Sequence, residues 1–287
     1  MLNPGLFAFR THSTPTSHML FRQDEGIRMD GFTTSGSKYK VRFRKSSNQA
    51  RGKLPLTVIV LAKDEEEMIG DCLSSASFAD EIIVIDGNSS DRTVQIAHEH
   101  GAIVLIRSEQ NNYSALRNFG LEHAKHNYVF MLDADERLTE RLRREIQTAI
   151  GTGKCAAYRV ERINISFGKR LRVFGRDLQI KLLRRDLCRY EGLIHERPCV
   201  RGSLGQLPGA MFHYPYEDWA EYWSKLRKYS QLDTVVSTGL LDPLKRAMRI
   251  FFSYYVVNRG CLDGLVGLKL SIMSSYYQLA RTRLKKG

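Results

Sequence analysis

Asp133 and Asp135, with Glu136 beside them, close the run Tyr128-Val129-Phe130-Met131-Leu132-Asp133-Ala134-Asp135-Glu136. Two carboxylates one residue apart at the end of an apolar run can share a hard divalent cation, Mg2+ or Mn2+, which in turn holds a diphosphate. Read more plainly, the pair is a loop acid cluster leading into a helix that begins at Thr139. These acids have company: Asp64 and Glu65 follow the apolar run at 56–61, and Asp86 follows the run at 81–85. If those runs are parallel strands of one sheet, their carboxyl ends share an edge, where the ligand crevice of an open α/β sheet lies. Acids gathered on one rim repel each other unless a cation or a hydrogen-bonding ligand sits among them. A nucleotide suits such a rim, since carboxylates accept from base N–H and ribose hydroxyls while a metal bridges the last acid to the phosphates. Each Asp taken singly is also an ordinary turn former or helix cap.

The elements that must position these acids show in the spacing. Residues 56–61 (LTVIVL), 81–85 (EIIVI), 102–106 and 128–132 are short β-prone runs, and such continuous apolar runs suit strands buried on both faces. Between them, Met68, Ile69, Cys72, Leu73 and Ala76 fall at helical spacing; residues 93–100 follow the capping candidates Ser90 and Asp91; and 114–124 form a third helix. Strand alternating with helix predicts βαβ units, a parallel sheet and a Rossmann-like half. After the acidic turn a helix is expected over 139–150, then short strands at 156–160, 163–167 and 179–183, so the sheet turns mixed at one side. From Asp218 the pattern is helical, with breaks at Gly239, Pro243 and Gly260. In the last helix Leu265, Leu268, Ile272, Tyr276 and Leu279 form one apolar stripe. That stripe suits a core face; its basic flanks, with Phe251, Phe252, Tyr254 and Tyr255 nearby, suit equally a helix lying in the plane of a membrane.

Composition narrows the class. The 287 residues carry a net charge of +13, which implies an anionic partner: nucleic acid, anionic membrane or phosphorylated substrate. The basic residues are spread over tail, middle and C-terminus without a recognised nucleic-acid motif, so no nucleic-acid partner is expected. No Gly-x-Gly-x-x-Gly follows the first strand, which argues against a dinucleotide-dependent oxidoreductase. The five cysteines are scattered and odd in number, as in a reducing cytosol. The first residues are polar and include Pro4 and Pro15, so no signal peptide is expected. Nor does any run reach the roughly 18 apolar residues of a spanning helix. The expected organisation is a disordered basic tail at 1–53, a catalytic domain at 54–215 and a helical segment at 216–287 packed on that domain or on a membrane. The expected location is the cytoplasm, peripheral on the inner-membrane face.

Taken in order, several segments resemble the successive motifs of family 2 glycosyltransferases of the GT-A fold. They are Val58-Ile59-Val60-Leu61-Ala62-Lys63-Asp64-Glu65-Glu66, Asp86-Gly87-Asn88-Ser89-Ser90-Asp91-Arg92-Thr93, Leu116-Arg117-Asn118 and Leu132-Asp133-Ala134-Asp135-Glu136. Later segments, Asp177-Leu178-Gln179-Ile180-Lys181-Leu182-Leu183-Arg184-Arg185, Tyr190-Glu191-Gly192-Leu193-Ile194-His195-Glu196 and Asn258-Arg259-Gly260-Cys261-Leu262-Asp263-Gly264, are similar to a bacterial subgroup that builds the lipopolysaccharide inner core. The resemblance runs from about residue 54 to 286. It implies a Rossmann-like α/β GT-A fold with a mostly parallel central sheet, mixed at one side, and C-terminal helices. By position it implies that Ala62, Asp64 and Glu65 border the base and ribose. Asp86 would accept from the uracil N–H, Asp133 from the ribose or base side, and Asp135 would bind the metal. Asp64 stands where the family usually has Asn, and Lys181 where it usually has Arg, keeping the charge without the planar fork.

The implied reaction moves a hexose-like sugar from a nucleoside diphosphate donor, a UDP-sugar, to a lipid-linked or lipopolysaccharide-core glycan with inversion. Arg117, Lys181 and Arg184 are candidates to steady the developing phosphate charge. Glu196 is the first candidate for general base and Glu191 the second; either could be a structural hydrogen-bonder. His213, before Tyr214-Pro215, is a candidate second metal ligand. Two rivals stand beside this reading. A haloacid-dehalogenase-like phosphotransferase also places Asp-x-Asp after an apolar strand, but here Arg137 occupies the place of its usual Thr or Val, and three βα units come first. A non-enzymatic basic binding protein is the other.

Overall fold

A computed structural model describes residues 53–109, 112–192, 196–232, 235–237 and 241–284. The tail expected at 1–53 therefore lies, but for Lys53, outside the described residues, as does His195. The first half is a regular alternation: β1 (Leu54–Ala62), α1 (Ile69–Ala76), β2 (Ala79–Asp86), α2 (Thr93–Glu99), β3 (Ile103–Ile106), α3 (Tyr113–His123) and β4 (Tyr128–Asp133). Side by side the strands run β3-β2-β1-β4, all parallel. The long apolar run of β1 is explained by its place in the middle. Val58 and Val60 face one core with Ile69 and Leu73, while Ile59 and Leu61 face the other with Leu116 and Leu121. The strand order reverses between β1 and β4, and a crevice opens where it does. Register sets the acids along that edge: Leu61 pairs with Asp133, and Ala62 with Asp86.

Beyond β4 the sheet becomes mixed. Asp133 leads through a tight turn into β5 (Glu136–Leu138), then α4 (Glu140–Thr152), β6 (Ala157–Ser166), β7 (Lys169–Arg170), β8 (Asp177–Arg184), β9 (Cys188–Glu191), β10 (Arg197–Val200) and β11 (Leu204–His213). The sheet continues β4-β8-β6-β11-β5, with β8 antiparallel to both β4 and β6. The helix expected from Thr139 starts one residue later, because Thr139 is its cap: the Oγ1 accepts from Leu142 N at 3.2 Å. The two strands expected at 156–160 and 163–167 are one, β6. The apolar pattern misleads there because beyond Val160 the buried side of β6 is polar, made of Arg162, Asn164 and Ser166.

The remaining elements are α5 (Trp219–Leu232), β12 (Val235–Ser237), α6 (Asp242–Phe252), a π-helical turn at Ser253–Val257, a 3-10 turn at Gly260–Asp263, α7 (Gly264–Ala280) and β13 (Thr282–Leu284). α5, α6 and α7 share a third core with Leu171, Val173 and Phe174, which precede β8. Asp263 fastens this layer by accepting from the amides of Arg172 (2.7 Å) and Val173 (2.9 Å). The expected apolar stripe on α7 is not its core face. Leu265, Ile272, Tyr276 and Leu279 are exposed, and Leu270, Met273 and Tyr277 are buried instead. Among the described residues no helix is long and apolar enough to cross a membrane.

α3 is pressed onto β1 at Gly120, where a Cβ would lie 2.7 Å from Ile59 Cγ2. Gly120→Ala is expected to lower stability by about 1–3 kcal/mol through overpacking, measured by urea denaturation.

Candidate active site

The first part of the site is the pair of turns after β1 and β2. Asp64 adopts a left-handed backbone (φ 54) and donates its N–H to Ser89 Oγ at 2.9 Å. Ser89 in turn donates that hydroxyl to Asp86 Oδ1 at 2.5 Å and its own N–H to Asp86 Oδ2 at 2.9 Å. The Asp64 carboxylate returns the link by accepting from Ser90 N at 2.8 Å. Glu65 N donates to Thr93 Oγ1 at 2.7 Å, and the carbonyl of Ala62 accepts from Gly87 N at 2.8 Å. Four of these six bonds join the two turns, and the two from Ser89 to Asp86 brace the second turn from within. Asp86 is only 1% exposed, so it organises this corner as it stands.

The second part is the acidic turn after β4. Arg137 clamps it from below, donating to the carbonyls of Ala134 (2.7 Å), Glu136 (2.9 Å) and Met68 (2.7 Å). Glu136 is fully buried, and its carboxylate receives Lys181 Nζ at 2.6 Å, Arg162 Nη1 at 3.1 Å and the amide of Asp133 at 3.0 Å. Lys181 also reaches Asp133 Oδ2 at 3.1 Å, and Arg117 holds Asp133 Oδ1 at 2.9 Å. Arg117 goes on to Glu196 Oε1 at 3.3 Å and lies over the Tyr190 ring; Arg162 goes on to Asp177 at 2.7 Å. Burial works to raise the Asp133 carboxyl, but the two cations outweigh it and hold it well below the usual carboxylate range.

Asp135 sits apart from this chain of alternating charge. Its Oδ2 lies 3.4 Å from His213 Nε2, whose other nitrogen, Nδ1, meets Asn164 Oδ1 at 2.7 Å. Burial, aided by the charge of Arg162, lowers the imidazole below its ordinary value, so it is neutral at neutral pH. Burial works to raise the Asp135 carboxyl, but its contact with His213 and the surrounding positive charge hold it well below the usual carboxylate range. Glu65 is near enough for Asp135 to affect it: burial first, then Asp135, pushes its carboxyl up to about 7.

Ala62, Asp64, Glu65, Asp86, Arg117, Asp133, Lys181, Asp135, His213 and Glu196 are thus brought to one sheet edge. Two expected residues are not. Arg184 pairs in register with Tyr128, at the opposite end of β4 from Asp133, and its guanidinium binds Asp186 at 2.7 Å. Strand alternation puts Glu191 on the exposed face of β9 while Tyr190 turns inward to Arg117. Arg117 and Lys181 are engaged here by Asp133 and its neighbours. Sequence reasoning gave no role to Glu136, Arg162, Asp177 or Lys225. The signal available for the first was its place in the acidic run. Lys225, on α5, binds Glu221 at 2.7 Å and Pro215 O at 2.8 Å, and its charge reaches Glu65.

Residues 57–200, which span β1 to β10, match the model of glycosyl transferase family 2. The chain belongs to that family. Among its relatives is a lipopolysaccharide core biosynthesis glycosyltransferase, LpsC, of Rhizobium meliloti, 27% identical over 199 residues, covering 65% of this chain and 74% of that protein. An uncharacterised glycosyltransferase of Rickettsia conorii is 23% identical over 80% of this chain and 90% of its own length. A TPR repeat-containing protein of Synechococcus elongatus is 32% identical over 40% of this chain, which spans only 28% of that protein. Of solved structures, S. aureus TarS 1-349 with UDP-GlcNAc is similar at a TM-score of 0.43 and 13% identity, over 79% of this chain and 81% of that one. M. tuberculosis glucosyl-3-phosphoglycerate synthase with Mn2+, UDP-glucose and phosphoglyceric acid is similar at 0.31 and 21% identity, over 40% of this chain and 44% of that one.

The family 2 domain yields two expectations about stability. Glu136→Gln leaves two buried cations short of a counter-charge and should cost about 3–5 kcal/mol in urea denaturation. For Glu65, a folded pKa of about 7 lies above its ordinary 4.5, so the folded chain binds more protons between those values. Stability should therefore fall as pH rises through this window, and Glu65→Gln should remove that slope. Melting temperatures from about pH 5 to 8, in chelator, read the difference between the two chains.

Proposed function

We propose that this family 2 enzyme transfers a hexose-like sugar from a nucleoside diphosphate donor, a UDP-sugar, to a hydroxyl of a lipid-linked or lipopolysaccharide-core glycan. The transfer inverts the anomeric centre, and the acceptor is met at the cytoplasmic face of the inner membrane. The observation that carries the reading is the gathering of acids at the carboxyl edge of the parallel strands, where Asp64, Glu65 and Asp86 after β1 and β2 meet Asp133 and Asp135 after β4. A divalent ion and a nucleoside diphosphate suit such a rim.

The donor set fits such an ion. Asp135 and His213 offer a carboxylate oxygen and a neutral imidazole nitrogen, which suit Mn2+ and, less strongly, Mg2+. Among the described residues no group of three His, Cys, Asp or Glu is placed to hold a metal; Asp135 and His213 would hold the ion together with ligands from the donor. When bound, the metal neutralises the departing diphosphate as a Lewis acid.

The remaining roles belong to the chain's own side chains. Asp64, Glu65 and the Ala62 edge border the base and ribose, with Asp86 holding their turn. Asp133, fixed on both oxygens by Arg117 and Lys181, keeps the acidic turn in place. Lys225 on α5, whose charge reaches both Glu65 and Asp135, is a candidate to meet the phosphates. Glu196, steadied through Arg117, takes the acceptor proton as the hydroxyl attacks, and the sugar–phosphate bond breaks on the opposite side.

Asp135→Asn is expected to leave the urea midpoint within about 1 kcal/mol of wild type and to reduce metal-dependent turnover of UDP-sugars by on the order of a hundredfold or more. A screen of UDP-sugar hydrolysis and transfer with Mn2+ or Mg2+ measures it. Unchanged turnover would remove Asp135 from the mechanism.

A further inference from the structure

The C-terminal layer is built inside out. The side of α7 that faces the protein carries Gly267, Ser271, Ser274 and Gln278 among its apolar residues, while Leu265, Ile272, Tyr276 and Leu279 face away. These inner polar groups find partners within the protein, apart from Gln278 Nε2, which is buried without a hydrogen-bond partner. Ser271 Oγ donates to Gly267 O at 2.7 Å, Ser274 Oγ meets Tyr222 OH at 3.4 Å, and Gln278 Oε1 accepts from Arg281 Nε at 3.1 Å. A helix packed on a domain and facing water has the reverse arrangement.

α6 extends the exposed apolar face. Leu244, Met248 and Phe252 recur every four residues on the outside, opposite buried Ala247 and Ile250. The surface then turns the corner through Val256, Val257 and Leu262 to Leu265. Met248 and Val257 are 65% exposed and Leu265 is 75% exposed. A contiguous apolar surface of this kind marks an interaction site.

Charge says what covers it. Lys245, Arg246 and Arg249 lie on the flank of α6 adjoining the apolar strip, and exposed Arg259 stands at the corner itself, with φ 60. Residues 241–282 carry six cations against two acids, Asp242 and Asp263, and Asp263 is buried against the amides of Arg172 and Val173. Apolar side chains bordered by cations match the boundary between acyl chains and anionic headgroups, where long basic side chains reach up to the phosphates. No described helix is long enough to span, so the element lies in the plane.

We propose that the corner between α6 and α7 is a membrane-docking surface for an anionic lipid bilayer, inserting Phe252, Val257, Leu262 and Leu265 beneath the headgroups and setting Lys245, Arg249 and Arg259 on them. The surface itself stands on exposure and charge; in naming where a lipid-linked acceptor is met, it rests on the glycosyltransfer reading above. α5 packs on α7 through Tyr222, so docking through α6 and α7 would also fix α5 relative to the bilayer.

The test floats the full chain on phosphatidylcholine vesicles with and without phosphatidylglycerol. Three variants accompany it: Val257→Asp with Leu265→Asp; Lys245→Glu with Arg249→Glu; and a tail variant with Lys38, Lys40, Arg42, Arg44 and Lys45 changed to Gln. Wild type should float with the anionic vesicles, and each ridge variant should bind them at least about tenfold more weakly, with circular dichroism and UDP-sugar hydrolysis unchanged. Ridge variants that float like wild type overturn the proposal. So does loss of binding confined to the tail variant. It is equally overturned if wild type ignores vesicles but self-associates in sedimentation through a contact that Val257→Asp with Leu265→Asp abolishes, since the face would then pair two copies. Absence of hydrolysis in wild type that still floats would defeat the catalytic reading and leave the docking surface standing.

Discussion

Glu136 is a carboxylate shut off from water, and an ion so placed must be met by charge and hydrogen bonds or it neutralises. Here three partners come from three strands: the amide of Asp133 from β4, Lys181 from β8 and Arg162 from β6. That requirement explains why the sheet is mixed where it is. The parallel half delivers acids to its carboxyl edge, as any doubly wound sheet delivers loops there. β8, running the other way, carries Lys181 up to the same edge from within the sheet, and β6, running with β4, brings Arg162 there near its carboxyl end. The polar inner face of β6, with Arg162, Asn164 and Ser166, is the cost of that arrangement in apolar packing.

From Glu136 the order spreads outward. Lys181 ties it to Asp133, Arg117 ties Asp133 to Glu196, and Arg162 ties it to Asp177. Because each cation is shared between two carboxylates, moving one member disturbs the next. The separation of Asp133 and Glu196 is therefore set by ion pairs through Arg117 and not by loop conformation. Asp135 lies two residues beyond Asp133, beside His213.

The C-terminal layer serves a different physical demand. Its inner face uses small and hydroxylated residues, so that backbones approach closely: at Gly267 a Cβ would fall 1.9 Å from Gly260 O. Close packing of that kind frees the large apolar side chains for the outside. Asp263 secures the layer by its side chain to the segment before β8, and that segment leads directly into the strand carrying Lys181.

Local chemistry alone determined much of this protein. The continuous apolar runs of β1, β2 and β4, each ending in acid, dictate a buried parallel sheet with a charged carboxyl edge, because a strand covered on both faces tolerates polar groups only at its ends. Thr139 announced the start of α4 by the same local logic of capping. What no local pattern contains is the pairing of residues far apart in sequence. Arg184 and Lys181 look equally available as phosphate helpers in the chain, yet β8 runs antiparallel to β4 and carries one to the acidic edge and the other to the far end. Tyr190 and Glu191 differ by one step of a pleat, which turns one inward and the other out. On α7 the helical period located the stripe correctly but not the side it faces, since the surroundings decide whether an apolar face is core or surface. Periodicity is a property of the chain, whereas direction, register and the identity of the neighbour across a core exist only once the chain has folded.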